Sequence, residues 1–154
     1  MKWLYSLLAT GTCLVSTVSS HACTYDGQFS NPFAESYPGS LDIAIATYDA
    51  LDLNHIEPVS ALDGQQGLRR VSWWLQLMNK RFSAELTTTS HIYLVDSHLW
   101  SQLTRDNQIK VHSSPQNVGS ASILLLSEAA LSALVNKQIG FQQALDLGII
   151  HFSS

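Results

Sequence analysis

The sequence ILLLSEAALSALVNKQIGFQQALDLGIIHF, residues 123–152, carries the clearest indications of the fold of this chain. Its first apolar run predicts a buried strand that leads into Ser127, a residue type that favours a helix N-cap because its hydroxyl accepts a free backbone N–H. Gly140 ends that helix, and Gly148 supplies the left-handed residue that stops a second, shorter helix. The apolar residues that follow predict a last strand docked in a sheet, since undocked termini fray.

Three more strands are predicted upstream of this stretch. After Thr89 the apolar residues alternate with polar ones, and short polar turns separate the runs, as in a series of hairpins. The sequence therefore predicts an antiparallel meander at 91–95, 99–104 and 109–112, with the fourth strand at 121–126.

Helical spacing marks the first half of the chain. Ser40 is a predicted N-cap, and the second helix is predicted to begin with a capping-box-like pair, Ser60 and Asp63. The second helix, at 62–83, is amphipathic over its whole length. The first, at 41–53, is predicted from apolar residues at spacings of three and four, namely Leu41, Ala44, Ile45, Tyr48 and Leu51.

These elements predict one α+β domain at 41–154, in which three to four helices cover a mostly antiparallel sheet of about five strands. The preceding segment at 23–40 is an irregular acidic lead-in, because Asn-Pro and Pro-Gly dipeptides break both helix and strand. Its aromatic residues are expected to pack onto the domain.

Residues 1–22 predict a signal peptide and export to the periplasm or the extracellular space. Lys2 precedes an apolar run too short and too rich in small polar residues for a membrane span, and Ser-His-Ala supplies a cleavage signal. Cleavage after Ala22 leaves Cys23 first, so a lipidated cysteine that anchors the protein to a membrane is an alternative. Cys13 leaves with the signal peptide, and a single cysteine forms no intrachain disulfide.

The predicted mature chain has 132 residues (154 minus 22) and a formal charge of −5 (7 bases minus 12 acids). Without a basic cluster, this balance argues against nucleic acid as a partner. The acids are unevenly spread: residues 23–63 hold seven acidic residues and neither Lys nor Arg. That segment is either a solvated acidic surface or a docking surface for a protein partner.

The closing stretch resembles the sterol carrier protein type two family, in which a strand passes into a Ser-capped helix and a short helix meets a Gly that feeds the last strand. The meander, with Trp100 in a strand, fits the sheet of that family, and the resemblance covers residues 88–153. The positions that carry the likeness are Leu126, Ser127, Leu134, Ile139, Ala144, Leu145, Gly148 and Ile150.

The resemblance implies an apolar pocket between the sheet and the helices that holds a lipid or another hydrophobic small molecule, without a cofactor. Pockets of this kind have mostly apolar walls, although each of these residues taken singly is better explained as ordinary core. The expected lining residues are Leu75, Met78, Phe82, Trp100, Leu131, Leu134, Phe141 and Leu145.

An enzyme is not expected, because no metalloprotease motif, nucleophile elbow or phosphate loop occurs. His91, His98 and His112 fall near predicted strand ends, so a histidine metal site is a minor alternative to hydrogen-bonded surface histidines. The leading prediction is an exported binding protein for a hydrophobic molecule, and the runner-up is an accessory module that docks on an envelope partner. A large apolar cavity favours the first, whereas a filled core with an exposed aromatic patch favours the second.

Overall fold

A computed structural model describes residues 36–117, 119 and 121–153. The predicted signal peptide at 1–22, Cys23 and the lead-in before residue 36 lie outside the described residues. The elements, in chain order, are α1 (Ser40–Asp52), α2 (Gly64–Arg81), β1 (His91–Leu94), β2 (Leu99–Leu103), β3 (Ile109–Val111), β4 (Ile123–Leu126), α3 (Glu128–Val135), α4 (Phe141–Asp146) and β5 (Ile150–Ser153).

The five strands form one mixed sheet in the order β3-β2-β1-β4-β5. Strands β1, β2 and β3 form the predicted antiparallel meander, and β5 is antiparallel to β4. The central pair differs, because β4 runs parallel to β1 with Tyr93 opposite Leu125. The meander leaves one edge of β1 free, and the connection at 112–122 brings the chain back to that edge. The predicted α+β class is confirmed, and the sheet is antiparallel except at this pair.

Helices α2, α3 and α4 cover one face of the sheet and enclose the main core. Side chains alternate along each strand, so Ile92 and Leu94 of β1 point into this core while Tyr93 points to the opposite face. All four residues of β1 and of β4 are buried, as expected of central strands covered on both faces.

The opposite face carries a smaller apolar cluster around three aromatic rings. The rings of Tyr93 and Trp100 lie 4.6 Å apart, and Tyr37 meets Trp100 edge-on at 5.5 Å. Ile43 of α1 joins the same cluster. The prediction that lead-in aromatics pack onto the domain is confirmed for Tyr37, whereas the others lie outside the described residues.

Two predicted helix caps are present and two are not. The prediction that Gly140 ends α3 is also wrong, because the helix ends at Val135 and Lys137 adopts the left-handed conformation there. Ser127 accepts the N–H of Ala130 at 3.0 Å, and Gly148 adopts a left-handed φ of 71°, as predicted. Ser40 is already helical and donates its hydroxyl to the carbonyl of Tyr37 at 2.6 Å, because the turn is made by Gly39. The N-cap of α2 is Asp63, whose side chain makes no capping hydrogen bond, so the predicted capping box does not form.

Candidate functional site

The predicted ligand-lining residues divide between the two faces of the sheet. Leu75, Met78, Leu131 and Leu134 are fully buried in the main core. Phe82 and Phe141 join them with ring centroids 5.2 Å apart, and Leu145 packs at the edge of the same cluster. Trp100 lies on the opposite face, because it alternates with core-facing Leu99. The eight residues line neither of the two clefts described below.

The histidines proposed as alternative metal ligands make other contacts. His98 shares a 2.7 Å hydrogen bond between its Nδ1 and the hydroxyl of Tyr93, and His91 lies beside the hydroxyl of Ser90 at 3.1 Å. Burial lowers the pKa of His91. The pKa of the Tyr93 phenol is raised, and burial is the largest cause of that shift. Within the described ranges, no three His, Cys, Asp or Glu side chains come together in a way that would hold a metal ion.

Helix α1 exposes three of its large apolar side chains. Leu41, Ile45 and Tyr48 are 72, 53 and 70 % exposed, and together they form what we name the α1 outer face. Their spacing of four and three residues places them along one side of the helix. The helix buries its other side, which consists mainly of small residues: Ser40, Ile43, Thr47 and Ala50. The apolar stripe that predicts this helix therefore faces outward, except at Leu51, which packs against the main core.

Carboxylates border the α1 outer face. Asp42, Asp49 and Asp52 are all exposed, and the helix has no basic residue in its last turn. From residue 36 to residue 63 the described chain holds neither Lys nor Arg. The surface is thus apolar along its centre and negatively charged at its border.

Contacts with the end of β4 and with the turn before β5 hold α1 in this orientation. Thr47 donates its hydroxyl to Ser127 at 3.0 Å, within the buried interior. A Cβ on Gly39 would lie 3.5 Å from Leu125, and one on Gly148 would lie 3.6 Å from Ala46. Both distances are ordinary van der Waals contacts, so α1 and its N-cap pack directly against β4 and against the turn before β5.

A cleft of about 320 Å³ opens at the C-terminal end of α1, and we name it the α1–α3 cleft. One wall is the loop at 58–63 together with Leu51 of α1. The other walls come from α2, from the turn after β1 and from the first residues of α3, namely Arg70, Asp96, Ser97, Glu128 and Ala129. Three carboxylates line the cleft, including that of Asp63, against one guanidinium.

The side chain of Asp96 binds the first turn of α3 through hydrogen bonds. Its two carboxylate oxygens accept the backbone N–H of Glu128 at 2.8 and 3.1 Å. Asp96 is exposed as a whole residue, but its carboxyl group is largely buried. This burial, together with repulsion from the Glu128 carboxylate, raises the pKa of Asp96 to about 6. The hydrogen bond from the Glu128 N–H lowers the pKa but does not outweigh these two effects. The sequence predicts only a turn around this residue.

Arg70 occupies one side of the cleft and is held by three neighbours. Its Nη1 donates to the carbonyl of Ser60 at 2.7 Å, and its Nη2 lies 3.4 Å from a carboxylate oxygen of Glu128. The guanidinium also lies over the ring of Trp74, 4.8 Å from its centroid. The positive charge is therefore directed along the wall of the cleft.

A second cleft, of about 460 Å³, lies between α2 and the turn from β2 to β3. It is polar, and its one buried side chain, Asn79, donates to the carbonyl of Asn107 at 2.8 Å. Its remaining walls are Gln76, Lys80, Asp106, Gln108 and Ile109.

No spacing rule in the sequence predicts the α1–α3 cleft. Asp63, Asp96 and Glu128 are more than thirty positions apart. Each has an ordinary local role as a helix-terminus or turn residue, so their convergence follows from the topology of the sheet.

None of the helices in the described ranges is both long enough and apolar enough to span a bilayer. Comparison of this chain with protein-family models, with curated proteins and with solved structures gives no match.

Proposed function

We propose that the protein is a non-catalytic interaction module, which docks through the α1 outer face on a basic, amphipathic segment of a partner protein in the cell envelope. The observation that carries the proposal is the exposed apolar stripe of Leu41, Ile45 and Tyr48. Export to the envelope rests on the leader-like sequence at 1–22.

The apolar part of this surface supplies the driving force for docking. Burying a large apolar side chain contributes roughly 1.5–3 kcal/mol, so three adjacent ones form the centre of an interface. Thr47 and the neighbouring contacts already hold α1 in place, so binding would cost little conformational entropy in the helix.

The charge of the surface selects the class of partner. Asp42, Asp49 and Asp52 border the stripe without a compensating base. A second copy of this chain would bring like charges together, and an anionic lipid surface would be repelled in the same way. A segment with basic residues beside an apolar face complements both features.

Site-directed photo-cross-linking in the protein's own host tests this proposal. Benzoylphenylalanine replaces Tyr48 in one variant and replaces Trp73, an exposed aromatic residue of α2, in the control. We expect an adduct from position 48 that maps to a basic, apolar-faced segment of one protein and disappears when Ile45→Asp is added. The same adducts from both positions, a self-adduct, a lipid adduct or no adduct at all would refute the docking surface.

A hydrophobic-ligand carrier of the sterol carrier protein type two kind is the second candidate. The observation that favours it is that seven of the eight expected lining residues form one continuous apolar layer between the sheet and helices α2 to α4. A ligand would occupy this layer only if a helix moved away from the sheet, since the side chains now contact one another. Native mass spectrometry of the protein from its host, with extraction of any adduct, tests this candidate: a stoichiometric lipid supports it, and a ligand-free mass contradicts it.

A further inference from the structure

We propose that the α1–α3 cleft receives one basic side chain, a lysine or an arginine, from the segment that docks on α1. This inference rests on the proposed function and names the anchor residue type of the partner. Leu51, in the last turn of α1, lines the cleft, so the cleft begins where the α1 outer face ends. A helix or extended segment lying on α1 would pass directly over it.

The charges in the cleft favour a cation. Asp63, Asp96 and Glu128 contribute three carboxylates against the single guanidinium of Arg70. Its two terminal nitrogens contact the carbonyl of Ser60 and the carboxylate of Glu128, while its buried Nε–H has no hydrogen-bond partner among the described residues. An incoming ammonium or guanidinium group would offset the remaining negative charge.

The hydroxyl of Ser97 is an independent sign of a ligand. Ser97 is only 3 % exposed, lines the cleft, and its Oγ has no hydrogen-bond partner among the described residues. Leaving a buried hydroxyl unpaired is unfavourable, and buried polar groups are usually paired. An N–H of a basic side chain would donate to this oxygen.

The shape of the cleft suits a side chain that is apolar along its length and charged at its tip. Leu51, Val59 and Leu62 contribute apolar surface to the cleft, while the carboxylates and Ser97 contribute polar groups. A volume of about 320 Å³ is at the lower end of ligand sites and therefore admits a single side chain.

Titration followed by amide NMR tests the inference with two matched probes, Nα-acetyl-lysine amide and its uncharged analogue Nα-acetyl-norleucine amide. We expect the lysine probe to produce saturable shifts at the amides of Ser97, Glu128 and Ala129, and the norleucine probe to produce none there. Shifts from both probes, or non-saturating shifts at acidic residues over the whole surface, would overturn the inference.

Variants assign the binding to individual groups. Asp63→Asn removes a charge from a side chain without a capping hydrogen bond, so it should weaken the probe about fivefold without disturbing the fold. Asp106→Asn, at the other cleft, is the matched control and should change nothing. Ser97→Ala should leave the free protein at least as stable and weaken the probe about threefold, because it removes an unpaired hydroxyl. Unchanged affinity in both Asp63→Asn and Ser97→Ala would overturn the inference.

Separate experiments can refute the basic anchor in the cleft and the docking of a partner on the α1 outer face. Ile45→Asp alters the α1 outer face but none of the residues that line the cleft. It should abolish the cross-link from position 48 and leave the lysine-probe titration unchanged. A cross-link to a segment without any Lys or Arg, together with no saturable titration, would refute the anchor while preserving the docking surface.

Discussion

The hydroxyl of Thr47 donates to the hydroxyl oxygen of Ser127 across 3.0 Å, although the two residues are 80 positions apart in the chain. The same Ser127 oxygen accepts the N–H of Ala130 at 3.0 Å. One buried atom therefore joins α1 to the first turn of α3 at the end of β4. This junction holds the orientation in which α1 presents its apolar outer face.

Ser127→Ala should lower the free energy of unfolding by about 2–3 kcal/mol. The substitution removes a helix N-cap, which costs about 1 kcal/mol, and leaves the Thr47 hydroxyl buried without a partner, which costs about 1–3 kcal/mol. Urea denaturation measures the change. A loss smaller than about 0.5 kcal/mol would show that the junction contributes nothing to the fold.

Thr47→Val is the matched control for that junction. It removes the donor but keeps the shape of the side chain, and Ser127 still caps α3, so we expect a loss of about 1 kcal/mol. In the double variant the two losses should fall short of their sum by about 1 kcal/mol, because one shared hydrogen bond is counted in each single variant. Strict additivity would contradict a direct interaction.

Asp96 should make the protein less stable as the pH rises from about 4 to above 6. The folded-state pKa, about 6, is raised above the ordinary value of 3.8, so the neutral carboxyl favours the fold below pH 4 and that contribution is lost as Asp96 ionises. The Glu128 carboxylate on α3 faces Asp96 and raises its pKa. Arg70 on α2 pairs with Glu128, and its positive charge acts on the pKa of Asp96 in the opposite direction.

Since Asp96 is exposed and solvent screens its charge, we expect a change of only about 1 kcal/mol. Denaturation of the wild type and of Asp96→Asn at pH 4 and pH 7.5 measures it. Asp96→Asn retains an oxygen for the N–H of Glu128 and should lack this part of the pH dependence. Parallel pH curves for the two proteins would contradict the raised pKa.

The two sides of α1 should respond oppositely to substitution. Ile43 is buried and packs on the opposite face of the sheet, so Ile43→Ala should lower the free energy of unfolding by about 2–4 kcal/mol. Ile45 is exposed, so Ile45→Asp should change it by less than about 1 kcal/mol while removing binding to the partner. Thermal denaturation separates the two. A large loss in Ile45→Asp would place that side chain in the core.

Gly148 should tolerate asparagine better than alanine. Its φ of 71° lies in the left-handed region, and a Cβ there would make only ordinary contact with Ala46 at 3.6 Å. Gly148→Ala should therefore cost about 1–2 kcal/mol, from backbone strain and not from a clash. Gly148→Asn should cost less, because asparagine adopts this conformation more readily. Equal losses measured in urea would indicate that crowding against α1 dominates.

Local patterns predicted the elements of the second half closely. The run from Ile123 to Phe152 folds into strand, helix, short helix and strand at nearly the predicted bounds, with Ser127 and Gly148 in their predicted roles. Capping and left-handed stops depend on one or two residues and their immediate neighbours, so they are visible in the sequence. Ser40 failed as an N-cap because the adjacent glycine made the turn in its place.

The candidate site was only partly predictable. The acidic character of the segment before residue 64 was visible in the sequence, but the convergence of Asp63, Asp96 and Ser97 at one cleft was not. These residues come together because β4 returns beside β1, which places the start of α3 next to the turn after β1. Pairing between distant strands is a non-local choice that no short pattern encodes.

Periodicity and turn chemistry act over a few residues, so the order, the type and the approximate bounds of the helices and strands were predictable from the sequence. Which side of α1 is buried depends on tertiary contacts that no local pattern shows. Thr47 and Ala50 are small enough to let the helix approach the end of β4 closely, and the Thr47 hydroxyl finds its partner there. The bulkier Leu41 and Tyr48 are therefore left on the surface, where they form the proposed docking face.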